Sequence, residues 1–585
     1  MKKQRFRRWF ALALSFTLLW ACSPNSSVNS PEEAYQHLKT LVSGIQVRSA
    51  LIPDSIARQM SVPPLNDALP SLDSFPLYGA KPDKNAKTVY LEILSSTEKG
   101  NADRENERWL VEVAEAFNRQ QARTNTGELI QVGIRSIPSG IGAKLIAAKA
   151  AQPAGYSPSS LLWSELLKQE GITPIVIKAD LMPDCGGFVI APQAYQQLAS
   201  GGKVSFTRLL DAILTGQLKL GYANPYSSSS SLNLLYSIFW HAAGHDRDSL
   251  REAPKDRKLL TVNDVQLPQV TSVFDAFQKQ VVITGVTSRD LSDAFLQDSS
   301  QLQVFASGCR GYTQLKQVKG YEKIGFVPYG VPHNNPLLGF DWNTPAQREA
   351  LAQFAEFATS APQQSLSDQQ GTMPTDLLKS FEFLPTPSGD VIKAAQSVWK
   401  QRKDGGRTVY MQLVVDTSGS METDRRLKSV QQALRLASRE INRGNQVGLL
   451  TFSNQTTRWS NLAPFNELEQ KRLIAAIDQL RPDGNTALYD ALAVGLLDLM
   501  EKQKSDPDGR FYLLLLTDGE RTDGLQLDQI KSVIQHSGVK IYPLAYGEVN
   551  QQELQEIAAI REGKVFSGTP ETVQSLLKDL LQTNL

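Results

Sequence analysis

The chain has 585 residues, enough for several domains, and 41% of them are hydrophobic, ample for globular cores. Its 61 Lys and Arg against 60 Asp and Glu leave a net charge of +1. That balance, with no long basic stripe carrying interleaved aromatics, gives no reason to expect a nucleic-acid partner.

Lys2, Lys3, Arg5, Arg7 and Arg8 open the chain, and Trp9 to Trp20 is an apolar run too short to span a membrane comfortably. The pattern predicts a signal peptide over residues 1–21. Its ending, Leu19-Trp20-Ala21-Cys22, resembles a bacterial lipoprotein signal, although Trp20 is bulkier than the residue usual there. The resemblance implies lipidation of Cys22 and an extracytoplasmic chain anchored to a membrane, in the periplasm or at the cell surface. No later segment approaches spanning length, so attachment is expected through the N-terminus alone. Cys185 and Cys309 then remain as one pair, expected to be bridged in an oxidising compartment. Residues 22–87 read as tether and linker. Pro31–Val47 has the signature of a Ser-capped helical turn or two, and Leu51–Ala86 is rich in Pro, Ser and Asp without a period.

Residues 88–385 alternate strand and helix, which predicts a parallel, doubly wound α/β arrangement. Strands are expected at Thr88–Leu94, Leu129–Ile134, Leu161–Trp163 and Phe188–Ile190, with a return through Lys323–Pro328. Helices are expected at Glu105–Asn118, Ala143–Ala151, Ala194–Ala199, Phe206–Leu214 and Pro345–Ala358. In element order this stretch resembles the type 2 solute-binding proteins of ABC transporters, two α/β lobes with a ligand cleft between them. Hydroxyls and backbone N–H groups at helix N-termini suit anions. Ser95, Ser96, Thr97, Ser139, Ser228, Ser229 and Ser230 are therefore the candidate lining for a small-molecule or anionic solute; the plain alternative is that they only cap helices. Trp163, Trp240 and Trp342 are cleft candidates too, with core packing the commoner fate. His241 and His245 stand i, i+4 on an expected helix, but Ala242 occupies the place where a metalloprotease motif needs Glu. Gly140–Lys144 (GIGAK) lacks the spacing of a phosphate-binding loop.

Gln363–Thr372 and Pro385–Gly389 read as polar connections, and residues 386–406 as a linker helix. The last unit, 407–585, alternates again. Strands are expected at Arg407–Val415, Val447–Phe452, Phe511–Thr517 and Val539–Ala545. Between and after them come helices at Arg426–Arg443, Glu467–Leu480, Leu488–Lys502, Leu527–His536, Gln551–Ile560 and Glu571–Gln582. The first strand runs into Asp416, with Ser418 and Ser420 following at alternate positions. Thr486 lies in the loop DGNTALYDAL, and Asp518 ends a strand before Gly519. Two carboxylates and three hydroxyls are hard oxygen donors, the kind a small divalent cation selects.

These five positions resemble the metal-ion-dependent adhesion site of the von Willebrand factor A-type domain. The resemblance implies a Rossmann-like doubly wound fold and a Mg2+ or Mn2+ ion held by Ser418, Ser420 and Thr486, with Asp416 and Asp518 binding directly or through water. It also implies an open coordination position that takes Asp or Glu of a protein partner. No His stands near these motifs in sequence, so a binding protein is expected rather than an enzyme. Two readings follow: a tethered protein that docks an acidic partner and also captures a solute, or the substrate-binding component of an ABC-type uptake system working with a permease.

Overall fold

A computed structural model describes residues 28–62, 69–82, 87–202, 204–245, 258–285, 287–371, 373–379, 381–519, 521–546, 552–561, 565–569 and 572–584. The expected signal peptide and Cys22 lie outside the described residues.

The described chain opens with helix Pro31–Val42, strand β1 (Val47–Ser49) and helix Asp54–Ala57. The helix forms because Ser30 caps Glu33 N–H, Pro31 sits in the first turn, and Glu32 and Glu33 follow at its positive end. This segment corrects the tether reading, since all three elements pack on the C-terminal unit. Ala34 and Leu38 are fully buried against the helices of that unit, and Ile52 and Ala57 enter its other core.

Strands β2 (Leu77–Gly79), β3 (Thr88–Ser95), β4 (Leu129–Ser136), β5 (Gly155–Ser157) and β6 (Pro174–Lys178) build most of a first lobe. Strands β7 (Cys185–Ile190), β8 (Leu220–Ala223), β9 (Val281–Gly285), β10 (Val304–Gly308) and β11 (Gly325–Pro332) form the second, and β12 (Leu337–Phe340) returns to the first. The sheet orders are β2-β4-β3-β5-β12-β6 and β11-β7-β10-β8-β9. Both sheets are mixed rather than wholly parallel: β12 runs antiparallel to β5 and β6, and β7 antiparallel to β10 and β11. Among the strands, the chain crosses between lobes after β6 and after β11, and each of these crossings reverses a strand. Cys185 and Cys309 are joined by a disulfide, with α-carbons 5.2 Å apart, at the head of β7 and just after β10.

Three further expectations are corrected. Leu161 is a turn residue and Leu162 and Trp163 open helix Leu162–Gln169, whose Leu162, Trp163, Leu166 and Leu167 bury one face; the third strand is β5. The stretch read as a polar connection folds as helix Ala361–Gln369. The expected linker helix, Gly389–Arg402, belongs to the two-lobed unit: Val391, Ile392, Ala395 and Trp399 join its core, and Trp399 Nε1 donates to Tyr222 Oη at 2.7 Å.

The last unit comprises β13 (Val409–Asp416), β14 (Gln446–Phe452), β15 (Thr456–Pro464), β16 (Arg510–Thr517), β17 (Lys540–Tyr546) and β18 (Phe566–Gly568). With β1 they form one sheet in the order β1-β15-β14-β13-β16-β17-β18. Helices cover both faces. Every residue of β13 is buried because successive side chains enter opposite cores: Met411, Leu413 and Val415 face one, Tyr410 and Val414 the other. In β16, Leu514 and Leu516 oppose Leu513 and Leu515 in the same way.

The two units meet at the amino ends of these strands. Arg407 and Arg510 donate to the carbonyl of Gln278, and Lys540 to that of Val282. Asn224 Nδ2 donates to Gln582 Oε1 on the closing helix Val573–Asn584 at 3.0 Å. The carboxyl ends of β13 and β16 point the opposite way.

Candidate metal centre and interlobe cleft

At those carboxyl ends the five sequence candidates converge. Asp416 Oδ1 accepts from Ser418 N–H (2.7 Å) and Oδ2 from Thr517 Oγ1 (2.6 Å). Ser418 Oγ and Ser420 Oγ are 3.0 Å apart, and Ser420 Oγ donates to Asp518 Oδ1 at 2.7 Å. Thr486 is fixed by its N–H to Thr522 Oγ1 (2.9 Å) and by Thr522 N–H to its carbonyl (3.1 Å). Gly519 sits among them: a Cβ there would lie 3.7 Å from Ser420 Oγ and 4.0 Å from Thr486 Oγ1.

Local backbone requirements explain the loops. Gly484 adopts φ +75, and a Cβ on it would strike Asn454, so only glycine serves. Its carbonyl accepts from Gly419 N–H (3.0 Å), and Asp483 N–H donates to Thr417 O (2.8 Å), stitching the two ligand loops together. Asp416, Ser418, Thr486 and Asp518 are buried, while Gly419, Ser420, Gly484 and Asn485 are exposed, so the set opens to solvent on one side. Burial pushes the Asp416 carboxyl up to about 6, against its two hydrogen bonds.

The donor spacing fits a small cation. An octahedral ion with oxygens at about 2.1 Å has neighbouring ligands about 3 Å apart, close to the Ser418–Ser420 and Ser420–Asp518 separations. No group of three or more His, Cys, Asp or Glu is gathered among the described residues, so any ion here would rest on hydroxyls as much as on carboxylates. Sequence reasoning missed Arg426, whose Nη1 lies 2.8 Å from Asp518 Oδ2. It stands 92 residues from Asp518, and nothing local marks it.

The second site is a cavity of about 510 Å³ between the lobes. Thr97, Ser139, Ser228, Ser229 and Ser230 line it; Ser95 and Ser96 do not. Ser95 Oγ donates to the Ser96 carbonyl, and Ser96 Oγ accepts from Lys99 Nζ at 2.6 Å. Lys99 is wholly buried and also donates to Ser157 O and Asn335 Oδ1; desolvation pulls its pKa down to about 7. Trp163 is buried with Nε1 on Ser229 Oγ (2.7 Å), and Trp163, Trp240 and Trp342 are all absent from the cavity wall. His241 and His245 do not share a helix face. Their helix ends at Ala242, and Gly244, at φ +79, turns the chain so that His245 packs near Asp264 at 3.4 Å. Missed by the sequence were Glu98, Asp184 and the Arg289–Glu107 ion pair that joins the lobes across the cleft.

A doubly wound sheet with oxygen donors gathered at the carboxyl ends of its middle strands is thus joined to a two-lobed α/β unit with a cleft. Residues 411–582 match the family model of the von Willebrand factor type A domain and form such a domain. The calcium-activated chloride channel regulator 1 of Bos taurus is 27% identical over 192 residues, 32% of this chain and 20% of that protein. The chain spans a fifth or less of the length of the first curated relatives it matches. Among solved structures, the sulfate-binding protein SubI from Mycobacterium tuberculosis is 16% identical with TM-score 0.33, covering 52% of this chain and 96% of that one. Proximal thread matrix protein 1 from the mussel byssus, with zinc in its MIDAS motif, is 18% identical with TM-score 0.25, covering 37% and 56%.

Proposed function

We propose that this protein is a non-enzymatic, extracytoplasmic binding protein, anchored to a membrane through lipid on Cys22. It docks an acidic protein partner through a divalent cation and holds a small polar solute between its lobes. Asp416, Ser418, Ser420, Thr486 and Asp518 would hold Mg2+ or Mn2+, an adhesion-type site. The ion supplies a Lewis-acidic position for a foreign carboxylate; the chain supplies the oxygens, their spacing and the exposed rim.

The observation that carries this reading is the charge of the converged set. Two carboxylates and one guanidinium, from Asp416, Asp518 and Arg426, add to −1. A divalent ion brings the centre to +1, which favours an incoming anion. The centre also faces away from the binding-protein-like unit, leaving room for a partner.

The test is a pull-down from envelope extract with and without chelator, using Asp416→Ala as control. A partner retained only with metal and only by the unmodified chain supports the reading. Equal recovery by Asp416→Ala sinks it. Turnover of any substrate that vanishes in Asp416→Ala would replace it with a hydrolase.

The two-lobed cleft gives specific support to a second reading, the substrate-binding component of an ABC-type uptake system. Solute uptake that is lost on deletion of the gene, together with a permease and ATPase encoded beside it, would favour that reading over partner docking.

A further inference from the structure

We propose that the solute held between the lobes carries an ammonium group, and that it is a zwitterion of amino-acid size rather than an inorganic anion. This rests on reading the interlobe cavity as a solute site and narrows what the site takes.

The charge of the wall is the first argument. Its charged lining residues comprise five carboxylates (Glu98, Glu105, Glu107, Asp184 and Asp293) and three guanidiniums (Arg104, Arg289 and Arg310), a net of −2. Two of the three cations are already engaged. Arg289 pairs with Glu107, and Arg310 donates to the carbonyls of Pro183, Ser367 and Gly371. A multiply charged oxyanion would enter a negative cavity with few cations to spare.

Glu98 and Asp184 are among the wall's acids that have no cationic side-chain hydrogen-bond partner among the described residues. Glu98 Oε2 accepts only from Ser159 Oγ, at 3.2 Å. Asp184 Oδ1 accepts from the backbone N–H groups of Cys185 (2.8 Å) and Arg310 (3.2 Å), which leaves Oδ2 free of hydrogen bonds. Lys99 is a buried cation nearby, but its ammonium donates to Ser96, Ser157 and Asn335. An ammonium entering between Glu98 and Asp184 meets two acceptors of opposite charge.

The opposite wall has the complementary character. Ser228 Oγ, Ser230 Oγ and Ser288 Oγ form a triangle with sides of 3.0, 2.8 and 3.3 Å at the starts of helices Ser229–Ala242 and Ser288–Gln297. Ser228 does not cap its own helix, so first-turn N–H groups there are left for a ligand carboxylate, aided by the helix dipole. Ser367 adds an independent sign of a missing ligand. It is 1% exposed, it lines the cavity, and its hydroxyl has no hydrogen-bond partner.

Other ligand classes fit less well. A bare metal ion wants a third carboxylate or imidazole, and no such group of three is gathered among the described residues. A sugar wants an aromatic face, and the one aromatic residue on the wall, Trp109, is 1% exposed.

The experiment uses the full chain in isothermal titration against each common α-amino acid, the N-acetyl derivative of any that binds, and sulfate and phosphate. An amino acid should bind, and its N-acetyl derivative, which keeps the carboxylate but not the ammonium, should bind at least 10-fold more weakly. Glu98→Gln should weaken the amino acid 10- to 100-fold, the range for one charge-assisted hydrogen bond, with an unchanged melting temperature showing an intact fold. Tighter binding of an N-acetyl derivative, sulfate or phosphate overturns the ammonium assignment but keeps the solute site. Amino-acid binding indifferent to Glu98→Gln overturns the placement. If no probe binds, the assignment and the solute reading fall together.

Discussion

Replacing Arg426 with Gln should tighten magnesium binding while weakening capture of an acidic partner. The guanidinium lies 2.8 Å from Asp518 Oδ2, so a cation bound to the other side of that carboxylate would sit about 5 Å from it, given oxygen-to-metal distances near 2.1 Å. At an effective dielectric of about 20, a monovalent charge repels each unit of the ion's charge by about 3 kcal/mol at that distance. Arg426 is 18% exposed and Asp518 buried, but solvent on the open side screens part of this. A working figure of about 1–3 kcal/mol corresponds to a 10- to 100-fold lower Kd for magnesium. The assay is calorimetric titration of the full chain with magnesium after chelator treatment. Partner capture should move the other way, because losing the guanidinium lowers the loaded centre from +1 to 0, which favours an incoming carboxylate less. A magnesium Kd that is unchanged or weaker in Arg426→Gln, or a variant that captures partner as tightly as the parent, would refute the charge argument.

Three further outcomes are expected. Leu38→Ala should destabilise the C-terminal unit by about 2–5 kcal/mol in urea unfolding, because the side chain is fully buried in that core; no loss would return residues 31–42 to the status of tether. Reducing Cys185–Cys309, which closes a loop with a sequence separation of 124, should cost the second lobe about 2–5 kcal/mol, read as a lower denaturation midpoint in reductant that Cys185→Ser with Cys309→Ser reproduces. Burial holds His333 down to about 4, below the ordinary 6.5 or so. The unfolded chain therefore gains a proton that the folded one refuses as pH falls from about 6.5 to 4, and stability present above that window drops by up to about 3 kcal/mol. His333→Gln should flatten this loss between pH 7 and 4.5, and an unaltered slope would refute it.

How much of this was legible in the sequence depended on whether the partners were neighbours. Asp416, Ser418 and Ser420 share one turn, and Thr486 and Asp518 sit at element ends that periodicity could place. Arg426 was invisible because only the fold brings it to Asp518. The largely apolar β13 and β16 announced themselves, whereas β1 is three exposed residues and shows no pattern at all. β15 carries Arg458, Trp459 and Asn461 at partly or fully exposed positions, which blurs the alternation of a half-buried strand. Leu161–Trp163 misled because three apolar residues are too few to separate a period of two from 3.6. In the cleft the serines drew the eye toward anions, and Glu98, directly after Ser95-Ser96-Thr97, was passed over.

The pairing of β1 with β15 joins residues roughly 400 positions apart, Val47 with Thr456. At a synthesis rate of about 5–20 residues per second, the earliest folded segment waits roughly 20 to 80 s for its berth to be made. During that interval Ala34 and Leu38 have no apolar surface to cover them. The C-terminal unit is therefore clasped by a segment made roughly 400 residues before the strand it pairs with.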